Sequence, residues 1–249
     1  MNGRFARALF AAFTNLAPGA PLERFHRWYF EVHRPDSVEL GLFERSLRYE
    51  AASPSKVRFL TLWEADYAGL DAALVRVRPG ALSLRERGRV WPVQEIVFSQ
   101  FLFLEASESA DPAPDAPPPV LTTLQNDWRA PAPGVGLARW SAEALPDAGA
   151  LRSAYCASAG YAAPPDDAPT ARRCLWIGES ARDPGELDAL WGRAEHALAP
   201  LGRPTPIFPP PSGAERGEPE PPAPRSAPGA AWVVHWRPVP APGSSPPRY

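Results

Sequence analysis

Apolar residues follow two different periods along the first part of the chain. Dense or alternating apolar runs predict strands, whereas spacing of three and four residues predicts a helix with one buried stripe. The predicted elements, in chain order, are a strand at 5–14, a helix from Leu22 that ends before Pro35, a hairpin of 42–51 and 56–65, a helix at 70–77 and a strand at 94–104. This β-α-β-β-α-β order is that of the ferredoxin-like unit.

The second half of the sequence repeats this order. The segment 60–64 returns in similar form at 175–179, and Arg27-Trp28 returns as Arg139-Trp140. The predicted second-half elements are strands at 120–126, 152–163, 172–180 and 231–239 and helices at 137–145 and 185–201. The chain is therefore predicted to hold two diverged copies of a unit of roughly 100 residues.

Two proline-rich segments complete the predicted domain organisation. The first repeat takes 1–106 and the second takes 119–240, with a linker at 107–118 and a disordered tail at 241–249. A proline-rich insertion at 203–230 is predicted to be a mobile surface loop; a lid or a ligand for a proline-binding domain is the alternative. Because one chain supplies both units, we expect a monomeric pseudo-dimer.

Composition narrows the functional classes. With 45% hydrophobic and 22% charged residues among 249, the chain is expected to be a soluble globular protein. A net charge of -2 without a basic run argues against nucleic acid as a partner. No apolar stretch reaches the roughly 20 residues that cross a bilayer, and the first residues lack a secretory signal, so a cytoplasmic location without membrane contact is predicted. Cys156 and Cys174 have no CxxC partner, so free thiols and no metal site are expected.

A short motif in the first predicted helix carries a family resemblance. Trp28-Tyr29 is followed by His33 and then by Pro35-Asp36. With its flanking strand and turn, this pattern resembles the EthD-like branch of the dimeric α+β barrel superfamily.

The resemblance implies an α+β fold in which two ferredoxin-like β-α-β-β-α-β repeats pack their antiparallel sheets face to face as an intramolecular dimeric α+β barrel. It also implies a pocket for a small hydrophobic or aromatic metabolite. Relatives include cofactor-free oxygenases, isomerases, cyclases and dehydratases, and also haem enzymes, so the fold does not select an activity. The second half has Ser141 and Leu145 where the motif has tyrosine and histidine, so chemistry is expected in the first repeat.

His33, Tyr29 and Asn15 are the candidate catalytic residues. His33 is predicted at the end of the first helix, where its imidazole is expected to titrate near neutral pH and to move a proton; the alternative is a cation that caps the helix. Tyr29 is expected to donate a proton or else to line the core. Asn15 is expected to polarise a substrate carbonyl, with a turn or capping role as the alternative.

Four further residues are expected to contact the substrate, namely Trp28, Asp36, Trp63 and His26. Asp36 is expected to orient His33 or to cap a turn, and His26 shares a helix face with His33 unless it lies at the surface. Trp63 belongs to a set of strand aromatics, several of which are expected to line the interface between the two sheets. Two histidines seven residues apart make a poor metal signature, but a lone histidine leaves axial haem ligation open.

Together these residues predict a cofactor-independent lyase, that is, a dehydratase or cyclase that acts on an aromatic or polyketide-like metabolite through proton transfer by His33. No cofactor is predicted. A cofactor-free oxygenase of the same fold is one alternative, which oxygen consumption would distinguish. A non-catalytic ligand-binding or assembly module is the other.

Overall fold

The first half of the chain forms the predicted elements, with two helix boundaries moved. The computed structural model describes residues 6–52, 57–91, 94–109, 120–128, 150–158, 172–180, 184–187, 203–204 and 232–243. The first-half strands are β1 (Ala8–Leu16), β2 (Arg45–Ala51), β3 (Phe59–Ala65) and β4 (Gln94–Ser109). The helical elements are α1 (Leu22–Trp28), a π-helical segment (Tyr29–His33), α2 (Arg34–Glu39) and α3 (Leu70–Glu86).

The four strands predicted in the second half are confirmed, and a short fifth one is present. The second-half strands are β5 (Val120–Trp128), β6 (Ala150–Ser158), β7 (Arg172–Ser180), β8 (Arg203–Pro204) and β9 (Trp232–Pro238). The short β8, which takes the first residues of the predicted insertion, pairs with the end of β5. The helix predicted at 137–145 and the rest of the insertion lie outside the described residues, whereas 184–187 are helical.

Both halves have the same strand order. The strands run β4-β1-β3-β2 in the first half and β9-β5-β7-β6 in the second, and every pair is antiparallel. Pairing of β2 with β9 and of β4 with β6 joins the halves, so the eight longer strands close into a barrel. The predicted fold class is therefore confirmed: an α+β protein in which two ferredoxin-like sheets form an intramolecular dimeric α+β barrel.

Apolar side chains from both halves fill the barrel interior. The buried residues of this interior cluster are Leu9, Ala11, Phe13, Tyr49, Val57, Leu60, Leu62, Leu102, Val234 and Trp236. The rings of Phe13 and Trp236 meet across the two halves with centroids 5.9 Å apart. Burial of this apolar surface holds the sheets together, so these residues form packed core.

A second apolar cluster lies on the outer face of the first sheet, where the helices cover it. It comprises Tyr29, Leu42, Phe43, Trp63, Ala65, Ala73, Leu84 and Phe101. Alternate residues of a strand face opposite sides, so Leu62 points into the barrel while Trp63 points to the helices. Trp63 is therefore not among the strand aromatics that line the interface between the sheets.

The first helix does not end before Pro35, contrary to prediction. The Arg34 N–H bonds to the Tyr29 carbonyl five residues back, and this wider π-helical turn leads directly into α2. Pro35 then occupies the start of α2, where a missing N–H is tolerated. His33 consequently lies within a continuous helical stretch, not at its end.

Backbone register separates the two cysteines. Cys156 is paired with Leu175 on β7, and Cys174 is paired with Ala157 on β6, so the cysteines are not register partners.

None of the described helices is both long and apolar enough to span a membrane.

Candidate functional site

The first helix covers a group of aromatic and polar side chains on the outer face of β2 and β3. Phe25 and Tyr29, four residues apart, are the buried anchors of α1 and the π-helical segment on this face. We call this group the helix–sheet site, and its members are Phe25, His26, Trp28, Tyr29, His33, Ser46, Arg48, Phe59, Thr61, Trp63 and Trp91. π-Helical turns are frequent at functional sites because they change the direction of the side chains.

His33 is held between two tryptophans. Its ring stacks on Trp28, with centroids 4.8 Å apart and planes 14° from parallel, and it meets the edge of Trp63 at 5.4 Å. Among the described residues its buried Nδ1 has no hydrogen-bond partner. Burial and the nearby Arg48 charge lower the pKa of His33 to about 4, against the weaker opposite effect of Asp36. The prediction that His33 titrates near neutral pH is therefore wrong for the free protein.

Tyr29 lies at the bottom of the site. Its hydroxyl donates a hydrogen bond to Ser46 Oγ at 3.0 Å, and only 2% of the residue is exposed. Burial raises the pKa of Tyr29, and the Arg48 charge partly opposes that shift. The phenol therefore stays protonated at neutral pH and fixes Ser46 of β2 beneath the helix.

Arg48 is the central residue of the site, and sequence reasoning missed it. Only 4% of Arg48 is exposed, and its guanidinium lies 4.6–4.8 Å from the ring centroids of Phe25, Tyr29 and Phe59. Nη1 donates to Thr61 Oγ1 at 2.6 Å, whereas within the described part of the chain Nε and Nη2 have no hydrogen-bond partner. Burial lowers the pKa of Arg48 to about 10, so it remains a cation at neutral pH.

The strand pattern explains why Arg48 was missed. On β2, Ser46, Arg48 and Glu50 alternate with apolar residues, a pattern typical of a strand with one solvent-facing side. That polar side is instead covered by α1. The local sequence of such a strand therefore does not indicate that its arginine is buried.

His26 lies beside Arg48, at the half-buried margin of the site. Its ring meets the edge of Phe59 at 5.6 Å, and its Nδ1 also has no partner among the described residues. Burial and the Arg48 charge lower the pKa of His26. Tertiary packing thus brings His26, Tyr29, His33 and Arg48 around one polar centre.

Asp36 has a different partner from the one predicted. Its two carboxylate oxygens accept hydrogen bonds from Arg89 Nε at 2.6 Å and Nη2 at 2.8 Å. The Arg89 guanidinium lowers the pKa of Asp36. Asp36 therefore fastens α2 to the end of α3, and acts on His33 only through its charge.

Asn15 is not brought to the helix–sheet site. It lies in β1, its Oδ1 accepts a hydrogen bond from the Arg58 N–H at 2.8 Å, and it lines a shallow depression of about 390 Å³. On β1, Phe10 is paired with Trp63, the residue that contacts His33, and Thr14 is paired with Phe59. Asn15 follows Thr14, so it lies more than four residues along β1 from Phe10. That spacing corresponds to at least ~13 Å along a strand.

Comparisons with known proteins identify similar structures but no family. No protein-family model matches the chain, and no curated protein matches its sequence. A provisional chlorite dismutase has 10% identity and a TM-score of 0.48, with 94% of this chain and 95% of that one covered. A provisional monooxygenase from Lactobacillus acidophilus has 10% identity and a TM-score of 0.45, with 93% and 94% covered. A single-residue variant of DypB from Rhodococcus jostii, in complex with heme, has 7% identity and a TM-score of 0.46, with 77% and 85% covered.

The predicted cofactor-independent lyase is wrong in the light of these names. Among the similar structures are a provisional chlorite dismutase, a provisional monooxygenase and a DyP-type peroxidase. The structure supplies a physical reason as well. An imidazole with a pKa near 4 and a deeply buried phenol do not form the acid–base pair that the lyase prediction required.

The side chains that a ligand at this site would contact carry nitrogen atoms or aromatic rings. Among the described residues, no group of three or more histidine, cysteine or acidic side chains is arranged to hold a metal ion. The site combines a cation, neutral imidazoles and flat apolar surfaces. This combination suits a small planar molecule with a few polar atoms.

Proposed function

We propose that this chain is an enzyme whose substrate is a small, hydroxylated aromatic molecule bound at the helix–sheet site. The observation that carries the proposal is the position of His33 between Trp28 and Trp63, with a buried ring nitrogen that has no partner among the described residues. Buried polar atoms in proteins are usually hydrogen-bonded. A substrate hydroxyl would give this imidazole a hydrogen-bond donor.

His33 would act as a hydrogen-bond acceptor in this role. Because its pKa is about 4, the ring is neutral at physiological pH, and a neutral imidazole has one nitrogen lone pair that accepts. Which nitrogen accepts depends on the tautomer. By accepting a hydrogen bond from the substrate hydroxyl, this lone pair would orient the substrate and raise the electron density on the hydroxyl oxygen.

The tryptophans would bind the ring of the substrate. Trp28 also packs on Trp91, with centroids 5.6 Å apart, and both rings are only partly buried. Offset or edge contacts between aromatic rings contribute roughly 0.5–1.5 kcal/mol beyond area burial. A planar substrate that displaced one of these two indoles and stacked on the other would keep most of this contact energy.

Calorimetric titration with a matched pair of probes tests the proposal. We expect 2-naphthol to bind the wild type more tightly than naphthalene, because only the naphthol donates a hydrogen bond. His33→Phe keeps an aromatic ring and removes both nitrogens, so it should lower naphthol affinity about tenfold, the equivalent of one hydrogen bond, and leave naphthalene unchanged. Equal naphthol affinity in both proteins would refute the role of His33.

A second candidate function is haem binding with His33 as the axial ligand. Axial ligation requires a neutral imidazole with an available ring nitrogen, and the buried Nδ1 of His33 has no hydrogen-bond partner among the described residues, which supports this candidate. Bound haem would supply oxidative chemistry at the site. Adding haemin to the wild type should then shift the Soret band, and His33→Phe should not; the absence of a shift in the wild type would exclude this candidate.

We also infer that the chain is a tandem duplication from the EthD-like branch. The identical strand order of the two halves supports duplication. All five motif residues lie within the continuous helical stretch of 22–39, which supports the EthD-like resemblance. Conservation of this motif in single-repeat homologues that dimerise would test the inference, and its absence from them would contradict it.

A further inference from the structure

Among the residues that the structure describes, no carboxylate pairs with the outer edge of the buried Arg48 guanidinium. Three aromatic rings cover it, and one hydrogen bond joins Nη1 to Thr61. Glu50 lies two residues further along the same strand face, but its carboxylate accepts a hydrogen bond from Arg58 Nε at 2.8 Å. The free edge of Arg48 consists of Nε and Nη2.

The same edge binds carboxylates elsewhere in this molecule. Arg89 holds Asp36 through Nε and Nη2, at 2.6 and 2.8 Å. Arg45 holds Glu64 through the same two nitrogens, although both contact a single carboxylate oxygen, Oε2, at 2.9 Å. These two nitrogens form a planar fork whose spacing matches the two oxygens of a carboxylate.

Burial makes an unused fork unusual. A charge that leaves water is normally paired, because desolvation costs several kcal/mol and an ion pair recovers part of that cost. Aromatic faces attract the flat sides of a guanidinium. They do not satisfy N–H groups at its edge, so ring contacts and a partner for the fork are compatible.

We infer that the Nε–Nη2 edge of Arg48 binds a carboxylate on the substrate. This inference rests on the proposed function and narrows its substrate class to hydroxylated aromatic carboxylates. Arg48 and His33 both border the Tyr29 ring, with the guanidinium 4.6 Å and the imidazole 6.1 Å from its centroid. A single molecule bound beside Tyr29 would place its hydroxyl at His33 and its carboxylate at Arg48.

A substrate carboxylate would have to enter at the half-buried margin of the site. His26 and Trp91 are partly exposed there, and His26 packs edge-on against Phe59, one of the rings that cover the guanidinium. A bound carboxylate would also cancel the Arg48 charge that now lowers the pKa of both His26 and His33. Binding should therefore raise the pKa of both histidines.

Calorimetry of the full chain with 2-naphthoate and 2-naphthamide tests the inference, because the two probes differ in charge and hardly in shape. We expect the wild type to bind naphthoate at least tenfold more tightly. Arg48→Met should remove this preference with the amide affinity kept, and Arg48→Lys, which has the charge without the fork, should restore only part of it. Arg27→Met is the matched control, since Arg27 is exposed on α1, the helix that covers Arg48.

Each outcome has a distinct meaning. Naphthoate and naphthamide that bind equally well to the wild type, or a preference that persists in Arg48→Met, would overturn the role of Arg48 and leave the proposed function standing. Failure of both probes to bind a wild type that does bind 2-naphthol would overturn this inference alone, and failure of 2-naphthol as well would overturn the proposed function with it. Should Arg48→Met fail to fold, arginine Nε–H resonances of the wild type decide: one of them must shift with naphthoate and not with naphthamide, and no shift overturns the inference.

Discussion

The indole of Trp28 lies flat on the imidazole of His33, with ring centroids 4.8 Å apart and planes 14° from parallel. The two residues are five positions apart, a spacing at which residues of a regular α-helix do not stack directly. The π-helical segment between them changes that relation by widening the turn. A local irregularity of the helix thus creates the aromatic environment of the candidate site.

Acid should destabilise the protein through His33. Its pKa is about 4 in the folded protein and 6.5 in a model peptide, so the unfolded chain takes up the proton first. The stabilisation is complete above pH 6.5 and is lost as the pH falls toward 4; the difference corresponds to roughly 3 kcal/mol. Urea unfolding at pH 7 and pH 4.5 should show a smaller loss in His33→Phe than in the wild type. An equal loss in both proteins would show that His33 is not responsible.

Tyr29→Phe should lower the free energy of unfolding by about 1 kcal/mol. The change removes the donor to Ser46 Oγ inside a site that is closed to water. Ser46→Ala removes the other partner of the same bond. Denaturant unfolding of both variants and of the double variant forms a cycle, and the double variant should lose less than the sum of the single losses. Strict additivity would mean that the bond contributes nothing to stability.

Gly80→Ala should destabilise the protein by about 1–3 kcal/mol, although alanine favours helices. A Cβ at Gly80 would clash with Leu42 Cδ2, because α3 closely approaches the segment that follows α2 there. Gly69→Ala is the control: its backbone is extended and its Cβ would meet no atom within 4 Å. Thermal unfolding of the two variants provides the comparison. A Gly80→Ala protein as stable as the control would contradict the close approach.

Trp236→Phe should weaken the join between the two halves. Trp236 is fully buried in the barrel, where its ring meets Phe13 of the first half, and its Nε1 donates to Thr123 Oγ1 of the neighbouring second-half strand at 2.8 Å. Loss of that bond and of part of the ring should cost roughly 1–3 kcal/mol in urea unfolding. Thr123→Val, which removes only the hydrogen bond, should cost less. A change below about 0.5 kcal/mol in Trp236→Phe, the range of surface substitutions, would mean that this contact does not hold the barrel closed.

Much of the strand arrangement was predictable because apolar periodicity depends on local geometry. The β-α-β-β-α-β order of the first half and the four longer second-half strands were read correctly from that periodicity. The motif from Trp28 to Asp36 lies in the helical stretch that covers the candidate site. The roles assigned to those residues remain predictions.

Other features were not predictable from local pattern. The first helical stretch continues past Pro35 because a π-helical turn precedes the proline and places it at the start of α2. The helix α3 continues past residue 77, through Pro79, to Glu86. Asp36 pairs with Arg89, a residue more than fifty positions away that carries no signal at the sequence level. Asn15 is separated from His33 by strand register. Each of these facts depends on contacts between distant segments.

By itself, the sequence determined which residues alternate on each strand and the order in which strands and helices follow. Alternation, however, says only that Arg48 and Leu47 face opposite sides of β2, and it does not say what covers each side. Tertiary structure decided that: strands of the second half enclose the apolar side, and α1 covers the polar one. Burial depends on which segments meet in space, and for that reason only the folded chain reveals the cation at the centre of the candidate site.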